Sequence, residues 1–82
     1  MRPTRHVLIV LPEHVHLMDV AGPAQVLVTA ADMGAGYTVG YVSEHPITGS
    51  YQGLALAAAV HWPDLEPDDL VLVPGWKSPA DS

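Results

Sequence analysis

Asp19 stands in "LPEHVHLMDVAGPAQV", residues 11–26, among Leu17, Met18 and Val20 and just after His14 and His16. A carboxyl group in apolar surroundings has its pKa raised and can hold or share a proton with a reacting partner. The plainer role for Asp19 is electrostatic: near the start of a helix it caps the first turn or faces the positive end of the helix dipole. Both roles are open on spacing alone. His14-x-His16 supplies two imidazoles, half of a metal site, but no third ligand has convincing spacing. We therefore read them as solvated loop histidines and expect no metal. His6, His45 and His61 carry no pattern. A second turn, Pro74-Gly75-Trp76, follows the last apolar run of the chain.

Several chemistries are ruled out within these residues. Cysteine is absent, so there is no thiolate ligand, disulfide or cysteine nucleophile. No serine sits in a G-x-S-x-G context, which removes the serine-hydrolase elbow. "GAGYTVG" (34–40) has the wrong spacing for a dinucleotide loop and follows a helix pattern instead of opening one. No cofactor is expected.

The elements that must position Asp19 and Gly75 are visible in the hydrophobic pattern. "HVLIVL" (6–11) is a continuous apolar run, as in a parallel strand covered on both faces, and Pro12 stops it. A helix is expected to begin at Gly22-Pro23, with proline in the first helical position. Ala24, Leu27 and Ala31 then recur at helical spacing, Val26, Ala30 and Met33 widen the apolar face, and Gly34 and Gly36 end it. "YTVGYVSE" (37–44) reads as a second strand, completing a β-α-β unit. "ITGSYQGLAL" (47–56) reads as a short hairpin or two small strands. "HWPDLEPDD" (61–69) is an acidic connection with room for one helical turn after Pro63. "LVLVPG" (70–75) reads as a third buried parallel strand. In open α/β sheets ligands bind beyond the carboxyl ends of the strands, so the loops holding Asp19 and Gly75 should meet at one rim.

The chain has 82 residues, 49% hydrophobic and only 15% charged, with a formal net charge of −6. Such a composition favours a packed core over a disordered tail. Arg2, Arg5 and Lys77 form no stripe able to neutralise phosphates, so this segment is not expected to bind nucleic acid or an anionic membrane surface. No apolar run reaches membrane-spanning or signal-peptide character, and a cytoplasmic location is expected. One clear helix for three strands is too little cover for a parallel sheet, which predicts an amino-terminal piece of a larger domain.

"HLMDVAGPAQV" (16–26) resembles the L-D-x-A-G-P-x-x-V signature that follows the first strand in the DJ-1/PfpI superfamily, the class I glutamine-amidotransferase-like α/β group. "DLVLVPG" (69–75) is similar to its later strand ending in Pro-Gly-Gly, and "TGSYQGLAL" (48–56) to the hairpin between them. Within the superfamily, "DVAGPAQV" looks most like the amino-terminal domain of AraC-type transcriptional regulators of the GlxA kind. Isonitrile hydratases and related small cysteine enzymes are the nearest competitors. The resemblance implies a flavodoxin-like three-layer sandwich with a mostly parallel sheet, residues 1–82 being its amino-terminal part and stopping before the nucleophile elbow. It implies a ligand-sensing role with Asp19, Gly75 and Trp76 as ligand-binding residues, a small-molecule effector and a homodimer when full length. DNA would be contacted by a helix-turn-helix beyond these residues. In the enzyme alternative, Asp19 is the acidic partner of a cysteine that this chain lacks; an inactive truncated product is the third reading. Three departures from the family pattern stand out: no elbow cysteine, Trp76 in place of a glycine, and a Pro12–Asp19 loop one residue longer than is common, with Glu13 where glycine is usual.

Overall fold

The computed structural model describes residues 5–77. Its elements run β1 (Arg5–Leu11), α1 (Leu17–Asp32), β2 (Tyr37–Ser43), β3 (Ile47–Gly49), β4 (Ala55–Ala57) and β5 (Leu70–Leu72). β1 is the central strand of a three-stranded parallel sheet, ordered β2-β1-β5. The architecture is mixed α/β. β3 and β4 form a separate antiparallel hairpin, turned at Gly53, whose φ of 87° suits a residue without a Cβ.

From Val7 to Leu11 β1 is apolar because it is enclosed. Val7, Leu8, Ile9 and Leu11 are buried, and Ile9 lies opposite Tyr41 on one side and Leu72 on the other. A core of Ile9, Leu11, Val15 and Val20 gathers Ala24, Val39, Tyr41, Leu56, Ala58 and Leu72 around it. β5 departs from the sequence reading: it is three residues long, and Leu70, Val71 and Val73 are exposed along its open edge.

The helix also begins earlier than the Gly22-Pro23 pair suggests. It starts at Leu17 with His16 as N-cap, and Pro23 lies inside it. Proline inside a helix forfeits the hydrogen bond its own N–H would have made to the carbonyl four residues back, here that of Asp19, and crowds that carbonyl with its ring. The first turn is held by other means: the Leu17 N–H donates to Gln52 Oε1 at 3.0 Å, and the Asp19 N–H to the His16 carbonyl at 3.0 Å. The earlier start adds the buried Val20 to the expected row of Ala24, Leu27 and Ala31, which are half-buried, while Val26 and Met33 are exposed. At the far end, Gly34 (φ 94°) donates to the Ala31 carbonyl and Ala35 to that of Ala30. That pair of bonds is the Schellman arrangement, and it needs a left-handed residue at Gly34.

The 61–69 connection contains no helical turn after Pro63; it is irregular up to a turn at Pro67-Asp68. Asp69 organises its end. Its carboxylate accepts the N–H of His6 and of Glu66, each at 2.8 Å, which ties the connection to the start of β1. Those backbone hydrogen bonds, Glu66 first and then His6, hold the Asp69 pKa below the usual carboxylate value.

Candidate functional site

The loop Pro12–His16 carries the site. Instead of running free between β1 and α1, it is stitched on both sides. Toward the hairpin, the His14 N–H donates to the Gly49 carbonyl (2.8 Å) and the Tyr51 N–H to the Val15 carbonyl (2.9 Å). Toward the end of β5, the His16 N–H donates to the Gly75 carbonyl (2.9 Å) and the Lys77 N–H to the His14 carbonyl (3.0 Å). Val15 thus bridges Ser50 in parallel and Trp76 in antiparallel fashion, and its side chain is 0% exposed. A single buried valine pins three segments together, because its backbone completes both ladders and its side chain joins the core.

This stitching brings two of the sequence-selected residues into contact. Asp19, in the first turn of α1, lies over Gly75: a Cβ placed on Gly75 would fall 2.6 Å from Asp19 Oδ2. The glycine is therefore needed for close approach, not for an unusual backbone angle, since its φ is not positive. Asp19 sits at the positive end of the helix dipole, yet the helix start has no side-chain cap hydrogen bond. Among the described residues, the Asp19 carboxylate accepts no hydrogen bond. The N–H groups of Gly75 and Trp76 likewise donate to no acceptor among those residues. A carboxylate thus stands at one rim, beyond the carboxyl ends of β1 and β5, where it can accept a proton or a hydrogen bond from a small molecule. Trp76 is half exposed beside them.

Three further residues join this rim. His16 packs against Tyr51 edge to face, with ring centroids 5.4 Å apart. It is half-buried and serves as the helix N-cap position, a more structural place than a solvated loop histidine occupies. Gln52 supplies the acceptor for the first helical N–H. Tyr51 and Gln52 lie in the hairpin turn, and no periodicity in the sequence marks them. Their only hint is position, since a turn facing a helix start needs a side-chain acceptor. His14 points elsewhere: it is exposed, in the left-handed region at φ 62°. Among the described residues, no three His, Asp or Glu side chains gather as a metal site. No helix there is long and apolar enough to cross a membrane.

No protein-family profile matches the chain. No curated protein matches it either. Solved structures do. An AraC family transcriptional regulator from Pseudomonas putida superposes with a TM-score of 0.74 at 26% identity, over 93% of this chain and 52% of that one. A DJ-1 superfamily protein from Agrobacterium tumefaciens superposes with a TM-score of 0.60 at 20% identity, over 89% of this chain and 38% of that one. The chain thus spans about half the length of the regulator it matches. Its three-stranded parallel sheet, its helix and the two superpositions show that this chain has an α/β fold similar to that of part of an AraC family regulator and of a DJ-1 superfamily protein.

Proposed function

We propose that the chain forms part of the ligand-sensing domain of an AraC-type transcriptional regulator of the GlxA kind. In this reading residues 1–82 are the amino-terminal part of the domain. Asp19, Gly75 and Trp76 line a small-molecule site at the rim, and the effector biases the geometry of a cytoplasmic homodimer. DNA is contacted by a helix-turn-helix outside these residues. The observation that carries the reading is the match to the Pseudomonas putida regulator, which extends over 93% of this chain. Trp76 supports it from the site itself. A bulky half-exposed ring beside Gly75 crowds the turn where an enzyme of this fold needs close backbone approach.

The contact between Asp19 and Gly75 favours a second reading. A carboxylate without a hydrogen-bond partner, seated on that turn, is also the setting for a cysteine-dependent enzyme of the isonitrile hydratase or amidase type. There Asp19 exchanges a proton with a cysteine supplied from outside these residues. Sequencing the reading frame downstream separates the two. A helix-turn-helix following the α/β domain is the expected result. An elbow cysteine with no helix-turn-helix would transfer the assignment to the enzyme. Neither feature would leave an inactive product, and both readings would fall.

A further inference from the structure

Gln52 reaches the start of α1 from the hairpin turn, and it is exposed, so its side chain contributes a hydrogen bond there and little burial. The turn that carries it is firmly built around the buried Ser50. The Ser50 hydroxyl accepts the Leu54 N–H at 2.9 Å, its carbonyl accepts the Gly53 N–H at 3.1 Å, and its own N–H donates to the Leu54 carbonyl at 3.0 Å. Tyr51 fastens this turn to the Pro12–His16 loop, through its N–H on the Val15 carbonyl and its ring against His16. Gln52 Oε1 is thereby delivered to the Leu17 N–H at 3.0 Å.

Asp19 is the third residue of the same helix. An acidic side chain at that position is the one that turns back in a capping box, to accept the N–H of the N-cap residue, and the helix dipole pulls it the same way. Here the helix start is already supplied by other segments. The His16 N–H goes to the Gly75 carbonyl at 2.9 Å, the Leu17 N–H goes to Gln52, and the Asp19 N–H goes to the His16 carbonyl. The carboxylate accepts none of these donors and stands over Gly75 instead.

We propose that Gln52 is a positioning residue for Asp19. By occupying the Leu17 N–H from the hairpin, it keeps the Asp19 carboxylate off its own helix start and seated at the rim. Without that acceptor the freed amide is an unsatisfied donor one turn from a carboxylate, and Asp19 swings back to take it. The hairpin turn thus decides whether the rim presents an acceptor at all. Its bearing on ligand binding rests on the sensing reading above, whereas the seating is measured without any ligand, so either can fail while the other stands.

The test is a pair of cycles in the folding equilibrium constant, from urea unfolding of the 82-residue chain. Gln52→Leu removes the acceptor, and Gln52→Glu keeps an oxygen in its place. In the native background, Gly75→Ala should leave the constant unchanged or lower it by up to about thirtyfold, since the new methyl meets Asp19. In a Gln52→Leu chain Asp19 has turned away, and Gly75→Ala should raise the constant about two- to fivefold. The coupling between the two sites is then about fivefold or more, and Gln52→Glu should restore the native response. A residue that only stabilised the helix would lower the constant equally with glycine or alanine at position 75. In the second cycle, Gln52→Leu should cost about fivefold more in an Asp19→Ala chain, where no carboxylate replaces the lost acceptor, than in the native one. This cycle decides the matter if the Gly75→Ala chains do not fold. Gln52 and Gly75 effects that are independent to within about twofold overturn the proposal. So do equal Gln52→Leu losses with and without Asp19, or a Gln52→Glu chain that behaves as Gln52→Leu does.

Discussion

Replacing Gly75 by alanine probes the contact on which the candidate site rests. The added methyl would stand 2.6 Å from Asp19 Oδ2. An ordinary carbon–oxygen contact is about 3.3 Å, so one group must retreat by about 0.7 Å. The carboxylate can turn away, but Asp19 is a short side chain on a helix start whose backbone is tied through His16 to Gly75 itself. Overpacking of this kind costs about 1–3 kcal/mol. Against that stands a gain of about 0.4–1 kcal/mol, because alanine restricts the unfolded chain and the φ at Gly75 is one alanine adopts.

The two terms separate in a double-mutant cycle. In the native background, Gly75→Ala should be neutral to destabilising by about 2 kcal/mol, as the clash outweighs the entropy gain. In an Asp19→Ala background the clash is gone, and the same change should stabilise by about 0.4–1 kcal/mol. The interaction energy is then about 1–3 kcal/mol, well above the ~0.5 kcal/mol within which independent sites add. Urea unfolding of the four chains, followed by circular dichroism at constant m-value, gives the cycle directly. Additivity within that margin, with the same sign in both backgrounds, would refute the close seating of Asp19 on Gly75.

Other consequences are read in the same assay. His14 holds φ 62° while its N–H bonds to Gly49, so His14→Gly should be neutral to stabilising by about 1 kcal/mol, and His14→Val should destabilise by at least that much. Ile9 is fully buried at the centre of the sheet; Ile9→Ala should cost about 2–5 kcal/mol and leave little cooperative unfolding in a chain this small. The Asp69 pKa is depressed in the fold, so its contribution to stability is present above the unfolded-state value of 3.8 and is lost as pH falls through the lower folded pKa. An Asp69→Asn chain should show a flatter loss of stability on acidification than the native chain, measured as urea midpoints between pH 6 and pH 2. The exposed apolar edge of β5 should drive self-association of the isolated 82 residues, and Val71→Lys should reduce it in sedimentation velocity. A monomeric native chain with no response to Val71→Lys would show that the edge is not the cause.

The parts of the fold that sequence made legible are those governed by local chemistry. The β1 run, the β2 pattern, the glycine-ended helix and the Gly53 hairpin follow from burial period and turn residues, and each appears in the structure. The start of α1 was hidden by Pro23, whose preference for a first helical turn is strong in isolation. Tertiary contacts overruled it: Gln52, thirty-five residues away, satisfies the first N–H, and Val20 reaches the core only if the helix has already begun. The acidic stretch after Pro63 offers no apolar row to bury, so nothing offsets the cost of ordering a helical turn there.

The same distinction explains the site. Asp19 and Gly75 were conspicuous by type, but their contact depends on a residue with no chemistry of its own. Val15 looks like any loop valine in the sequence. Its meaning comes from having the hairpin on one side and Trp76 on the other, a juxtaposition set by strand order and invisible to any short window of residues. Because Val15 is wholly buried, the loop cannot shift without opening the core. Glu13 and His16 are consequently held on opposite margins of one rigid strip, the first bonded to Thr48 of the hairpin and the second to Gly75 at the rim.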